Sequence, residues 1–132
     1  MERIIYISTA RNEPDRALVE DILRSSRRNN RRDGLTGLLV VGGRRFLQVL
    51  EGPRALMEAA YSRIRGDERH YALVELSRKP ITDRAFSGWD MGCEQLDGED
   101  LSELVHGLTD SLDDANLRAQ FRSFVELHRK AA

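Results

Sequence analysis

The sequence predicts an α+β fold: a five-stranded mixed sheet with two helices on one face and C-terminal helices capping the other. Three observations predict it. Short apolar runs of period two are interleaved with runs of helical period in the order β-α-β-β-α-β-β. A glycine pair, Gly42-Gly43, separates two of the strand-like runs, which is a tight-hairpin signal. The run before that pair is apolar on both faces, with Leu38 and Val40 on one and Leu39 and Val41 on the other. A sheet bare on either face would expose a large apolar patch, so both faces need cover.

Each element follows from its own stretch. "RIIYIS", residues 3 to 8, reads as a strand with Ile4, Tyr6 and Ser8 sharing a face. A helix is expected from about Pro14, because "EPDRALVEDIL" has proline and acids at its start. Leu18, Ile22, Ser26 and Asn30 recur every four residues and form one stripe, apolar at its start and polar at its end. Gly34 in "RRDG" is the expected stop. "LTGLLVV" and "RRFLQVLE" then form the hairpin, with Phe46, Gln48 and Leu50 on one face and Leu47 and Val49 on the other. A second helix, "PRALMEAAYSRIR", starts at Pro53 and lines up Leu56, Ala60 and Ile64. "YALVEL" is expected as a further central strand, ended by Pro80. "FSGWDMGC" reads as a last short strand with Trp89, Met91 and Cys93 on one face. The tail holds two amphipathic helices, one with Leu101, Leu104, Val105 and Leu108, the other with Leu117, Phe121, Phe124 and His128. The βαββαβ part is the ferredoxin-like layout. Residues 1–95 are expected to form the core and residues 96–132 a helical cap in the same compact unit.

Composition narrows the function classes. The chain has 132 residues, which suits one domain, and 21 basic against 22 acidic residues give a net charge of -1. That balance argues against nucleic acid as a partner. One cysteine excludes an internal disulfide, and three scattered histidines give no metal-ligand spacing. The start, "MERIIYIS", is too short and polar for a signal peptide, and no apolar run approaches the ~20 residues that cross a bilayer. A cytoplasmic protein without a membrane contact is expected.

Three polar side chains point to the core side: Tyr6, Gln48 and Asn30. A buried polar group without a partner costs about 1–3 kcal/mol, and an amide has two donors and two acceptor lone pairs to satisfy. If their strands are neighbours, the Tyr6 hydroxyl is the simplest partner for Gln48. The remaining amide groups would suit a polar, planar ligand between the helices. Each residue also has an ordinary reading: Tyr6 and Gln48 as core, Asn29-Asn30 as a helix end, Trp89 and Met91 as packing. The Arg27-Arg28 and Arg31-Arg32 cluster is a solvated helix end or a phosphate contact.

"IIYIS", "ILRSSRRNNRRDGLTGLLV", "RFLQVLEGP", "RIRGDERHYALVEL" and "FSGWDMG" together resemble the BLUF family, the blue-light sensors that use flavin. The resemblance runs in order over about residues 3 to 93. It implies non-covalent FAD with its ring between the two core helices. It implies Tyr6 and Gln48 as the photochemical pair, and Asn30, with Asn29 beside it, as hydrogen-bonding residues at the flavin. It implies Ile22 and Ile64 on the two faces of the ring, and Ser26, Arg63, Asp67, Arg69 and His70 in the pocket wall. Trp89 and Met91 match the last-strand pair that transmits the signal. No photochemical position departs from the pattern. The resemblance implies a photoreceptor and no enzyme. Too few residues remain after the core for a catalytic output domain, so output is expected through an unknown downstream protein partner or a homo-oligomer. Two alternatives share the layout: an acylphosphatase-like enzyme using "NNRRDG" for phosphate, and a flavin-free interaction module. The first gives no account of Tyr6 and Gln48 together, and colour separates both from a flavin sensor, which would be yellow where they are colourless.

Overall fold

Alternation, caps and glycines put the elements in the expected order. The computed structural model describes residues 1–95 and the helical positions Ala115, Arg118, Ala119, Arg122 and Ser123. Its elements are β1 Glu2–Ala10, α1 Arg16–Asp33, β2 Thr36–Gly42, β3 Arg45–Gly52, α2 Arg54–Arg65, β4 His70–Pro80 and β5 Gly92–Gln95. One sheet runs in the order β4-β1-β3-β2-β5. Its pairs are antiparallel except β2 with β5, which are parallel. This is the ferredoxin-like sheet with one more strand at its edge. The apolar stripes expected of the tail helices, and the cap they would form, lie outside the described residues.

Local chemistry sets the ends. The Asp15 carboxylate accepts the Leu18 N–H at 2.8 Å, so α1 opens at Arg16 and Pro14 stays outside it. The expected acids in its first turn are absent. Gly34 ends α1 at φ 69°, a left-handed conformation that costs glycine little. The hairpin closes on the pair Gly42 and Arg45, so the turn residues are Gly43 and Arg44. Gly43 has φ 59°, the positive value a II′ turn needs at its first position.

Side chains sort onto the two faces of the sheet. On the helix side, Ile4, Tyr6, Leu39, Phe46 and Leu50 pack against Val19 and Leu23 of α1 and Met57, Ala60 and Tyr61 of α2. On the other side, Ile5, Leu38, Val40, Leu47 and Val49 cluster with Phe86, and Ile7, Ala85 and Trp89 pack beside them. Each large side chain so buried contributes about 1.5–3 kcal/mol.

Three expectations are corrected. On α2 the buried stripe is Met57, Ala60 and Tyr61 with Ile64 alongside, while Leu56 is 42% exposed. The spacing of three, four and seven keeps the first set over the sheet, and Leu56 turns away. The "YALVEL" stretch lies in an edge strand, not a central one, and Val74 and Leu76 are exposed. Trp89 and Met91 precede β5, and they do not share a face. Met91 joins the helix-side core, whereas Trp89 packs on Phe86 on the far side, with ring centroids 5.8 Å apart. A turn from Phe86 to Trp89, closed by a 3.0 Å hydrogen bond with Gly88 at φ 83°, breaks the alternation.

Candidate functional site

The two central strands bring the unusual polar residues together. The β1–β3 register sets Tyr6 directly opposite Gln48, and both are buried, at 1% and 7% exposure. The Tyr6 hydroxyl donates to Gln48 Oε1. Gln48 Nε2 faces Met91 Sδ at 3.8 Å, and a thioether is a weak acceptor. Burial, with smaller contributions from Tyr61 and Asp67, holds the Tyr6 phenol well above its ordinary pKa. Tyr6 therefore stays neutral, and its proton has one hydrogen-bonded neighbour, Gln48.

Above this pair, between α1 and α2, lies a cavity of about 280 Å³. That is close to the lower bound of roughly 300 Å³ for small-molecule pockets. All nine residues expected to bind a cofactor line it: Ile22, Ser26, Asn29 and Asn30 from α1, Arg63 and Ile64 from α2, and Asp67, Arg69 and His70 after it. Gln48 forms part of its floor, and Tyr6 lies behind Gln48 rather than in the lining. Trp89 and Met91 lie outside the cavity lining; Met91 reaches the site through Gln48. Ser8, Ser25, Arg28, Leu39 and Phe46 line it as well. Strand alternation carried a signal for three of these, since Ser8 shares a face with Tyr6, and Phe46 and Leu39 with Gln48.

The walls are tied by specific contacts. Asp67 and Arg69 form an ion pair at 2.5 Å, and the Arg69 main-chain N–H adds a bond to the same carboxylate at 2.9 Å. Hydrogen bonds from Arg69 hold the Asp67 carboxyl below its usual range. His70 Nε2 lies 2.6 Å from the Ile64 carbonyl, which only accepts, so this nitrogen carries the proton. On a neutral ring, Nδ1 then accepts from Ser8 Oγ at 2.7 Å. His70 thus bridges α2 to β1. Arg63 reaches Asp33 at the end of α1 at 3.8 Å.

Asn30 is 3% exposed, and its Nδ2 donates to the Asp90 carbonyl at 2.6 Å. Its Oδ1 takes no hydrogen bond among the described residues. Two buried amides therefore line the cavity with free capacity: a donor on Gln48 Nε2 and an acceptor on Asn30. Leaving each unmet costs about 1–3 kcal/mol. A flat ring system with apolar faces and a rim of donors and acceptors would meet both needs, and Ile22 and Ile64 line the cavity as apolar residues. The residues present fit a flavin. No group of three or more His, Cys, Asp or Glu side chains among the described residues could hold a metal.

Comparison with known proteins gives the same direction. The family described as BLUF, sensors of blue-light using FAD, matches residues 1–92. The blue light- and temperature-regulated antirepressor BluF of Escherichia coli (strain K12) is 36% identical over 73 residues, 55% of this chain and 18% of that protein. Photoactivated adenylate cyclase subunit beta of Euglena longa is 36% identical over 83 residues, 63% of this chain and 10% of that protein. The chain thus spans about a tenth to a fifth of the length of these curated relatives. Among solved structures, BlrB, a BLUF protein in its dark state, superposes with a TM-score of 0.75 at 29% identity over 96% of each chain. Klebsiella pneumoniae BlrP1 with FMN and cyclic diGMP gives a TM-score of 0.81 at 26% identity, over 95% of this chain and 34% of that one.

Proposed function

The chain belongs to the BLUF family, sensors of blue light using FAD, and on that premise we propose that Tyr6 and Gln48 carry its photochemistry and that Trp89 and Met91 pass the signal on. The matched region is a flavin-binding sensor module and not itself an enzyme. The observation that carries the proposal is the buried line from Tyr6 through Gln48 to the cavity. FAD is the proposed flavin, from the family's description; one structural neighbour was solved with FMN.

When bound, the flavin supplies light absorption and, once excited, a strong one-electron oxidant. With a flavin bound to supply that oxidant, Tyr6 would be the electron donor, and its phenol proton would pass to Gln48, the group it already hydrogen-bonds. Gln48 accepts at one end of its amide and donates at the other, so it relays that proton toward the cavity. Return of the electron and proton to Tyr6 would leave the composition unchanged and only the Gln48 amide rotated or tautomerised. A hydroxyl both donates and accepts, so Tyr6 satisfies either amide arrangement. Two hydrogen-bonded states of similar energy are the requirement for a switch. In the second state Gln48 offers Met91 a different partner, and Met91, being flexible, repacks. The stretch leading into β5, which includes Trp89, moves with it. The proposal extends to residues 96–132 as the cap that meets a homo-oligomer or a downstream protein, in the cytoplasm. The acylphosphatase-like alternative loses support, because Asn30 and Arg31 both bind Asp90 instead of leaving an open anion site.

Absorption spectra of purified protein before and after blue light test this reading. The native protein should be yellow and shift slightly to the red. Gln48→Leu should stay yellow and lose the shift, and Tyr6→Phe should lose the normal photocycle. A yellow native protein whose spectrum ignores light, or a normal shift in Gln48→Leu, sinks the mechanism.

A further inference from the structure

The stretch before β5 is held in an unusual way. Three successive main-chain carbonyls are bound by three different groups: Trp89 by the Gly37 N–H of β2 at 3.0 Å, Asp90 by Asn30 Nδ2 at 2.6 Å, and Met91 by Arg27 Nε at 2.9 Å. The Asp90 carboxylate is held as well, by Arg31 Nε and its terminal nitrogen, both at 2.9 Å. Arg27, Asn30 and Arg31 are spaced three and four apart, so they form one stripe of α1. That stripe grips residues 90 and 91 from the helix side, while Gly37 grips residue 89 from the sheet. The two amides of the cavity touch the same short stretch, Asn30 at Asp90 and Gln48 at Met91.

These contacts differ in strength. The Gln48–Met91 contact is a long bond to a thioether. The guanidinium bonds of Arg27 and Arg31 are charge-assisted and of good length. Retention of Met91 beside Gln48 therefore rests on α1 more than on Gln48. We propose that Arg27 and Arg31 are positioning residues: they clamp residues 90 and 91 to α1, keep Met91 at Gln48 in the dark, and set how readily the stretch leaves that place. The part of the proposal that concerns light rests on the photochemical reading of Tyr6 and Gln48. The clamp also gives the signal a second exit, through Asp90 into α1 as well as along β5.

Both arginines are exposed, so their replacement leaves the core intact. Arg27→Gln and the double variant Arg27→Gln, Arg31→Gln are compared with the native protein, and Arg27→Lys serves as the rescue. Amide hydrogen exchange in residues 89–93 of the purified protein in the dark reads the clamp itself. It should quicken about tenfold, the factor a hydrogen bond from a charged group is worth, with exchange in β1 and β3 unchanged. Return of the red-shifted spectrum in darkness reads its effect on the switch. Loosening the dark placement should slow that return about three- to tenfold, leave the size of the shift unchanged, and be partly reversed by Arg27→Lys. Native exchange rates in the double variant overturn the proposal. Faster exchange with native recovery also overturns it, because the contacts are then structural only. If the native protein ignores light, the photochemical reading fails by itself, and the exchange measurement still decides whether the clamp exists.

Discussion

Tyr6 and Gln48 meet because the β1–β3 register sets them opposite each other, and burial then sets their chemistry. On the photochemical proposal, oxidation makes the phenol strongly acidic, and the buried Tyr6 would pass its proton to the neighbour it already hydrogen-bonds. Only a side chain with both a donor and an acceptor serves as that neighbour and still bonds Tyr6 afterwards. Leucine in place of Gln48 keeps the packing and removes both functions. The wall residue Asp67 gives a pH prediction. Its folded pKa lies below the ~3.9 of an unfolded aspartate, because Arg69 binds its charged form. The stability it contributes is complete above about pH 4 and is lost as pH falls through the depressed folded value. Thermal midpoints should therefore stay flat from about pH 7 to 5 and fall below about pH 4, with a shallower fall in Asp67→Asn. Identical acid limbs for the two proteins would contradict the Asp67–Arg69 contribution.

At the level of the element, β4 shows how an edge strand is shaped to serve a site. Its pairing with β1 slips twice, between Ile5 and Tyr6 and between Ile7 and Thr9. Each slip is a bulge that flips which side chains face the helices. Leu73 thereby reaches the helix-side core, Val74 faces away, and His70 comes beside Ser8 in the cavity wall. Two bulges also blunt an edge that would otherwise invite another chain to pair. The second bulge holds Ala72 at φ 53°, a conformation that costs a residue with a Cβ roughly 1–2 kcal/mol. Ala72 is exposed, so it gains nothing from packing in return. Ala72→Gly should raise stability by about 0.5–1 kcal/mol once glycine's greater entropy is set against the relief of strain. Urea unfolding measures this, and a lower midpoint in the variant would contradict the left-handed geometry. The same double flip explains why "YALVEL" reads as an ordinary strand: a period-two pattern carries no mark of where its parity breaks.

Across the whole molecule, Glu51 ties the far face of the sheet to the chain that leads to Trp89. The fully buried carboxylate accepts from Arg3 at 2.9 Å and from the main-chain N–H groups of Ala85 and Phe86 at 2.8 and 2.9 Å. Arg84 adds a bond to the Gly34 carbonyl at 2.7 Å. The stretch from residue 84 to 91 is thus anchored at one end on the sheet and at the other on α1, with Trp89 between. Glu51→Ala takes the carboxylate away from the buried Arg3 guanidinium, the buried Phe86 N–H and the half-buried Ala85 N–H at once. It should cost about 3–5 kcal/mol in denaturant unfolding, and a loss under 1 kcal/mol would mean the network is not what holds the stretch.

Much of this was legible in the residues. Period-two alternation placed Gln48 on the core face with Tyr6, and four-residue spacing put Ile22, Ser26 and Asn30 on one stripe of α1. The ordered motifs from residue 3 to 93 pointed to the family that the comparison then gave. Local periodicity decides which side of its own element a side chain takes, and these positions needed nothing more. Where two elements meet depends on packing between distant stretches, and periodicity is silent there. The direct opposition of Tyr6 and Gln48, the separation of Trp89 from Met91, the double bulge of β4 and the hold of Arg27 and Arg31 on residues 90 and 91 all belong to that second kind. Each couples residues more than about 40 positions apart, or depends on a turn that breaks the period. Sequence by itself determined the fold class and most of the residues that line the cavity, though not Ser8, Ser25, Arg28, Leu39 or Phe46. Tertiary structure alone decided how those residues are joined, because register and bulges are settled by the burial of whole elements against one another.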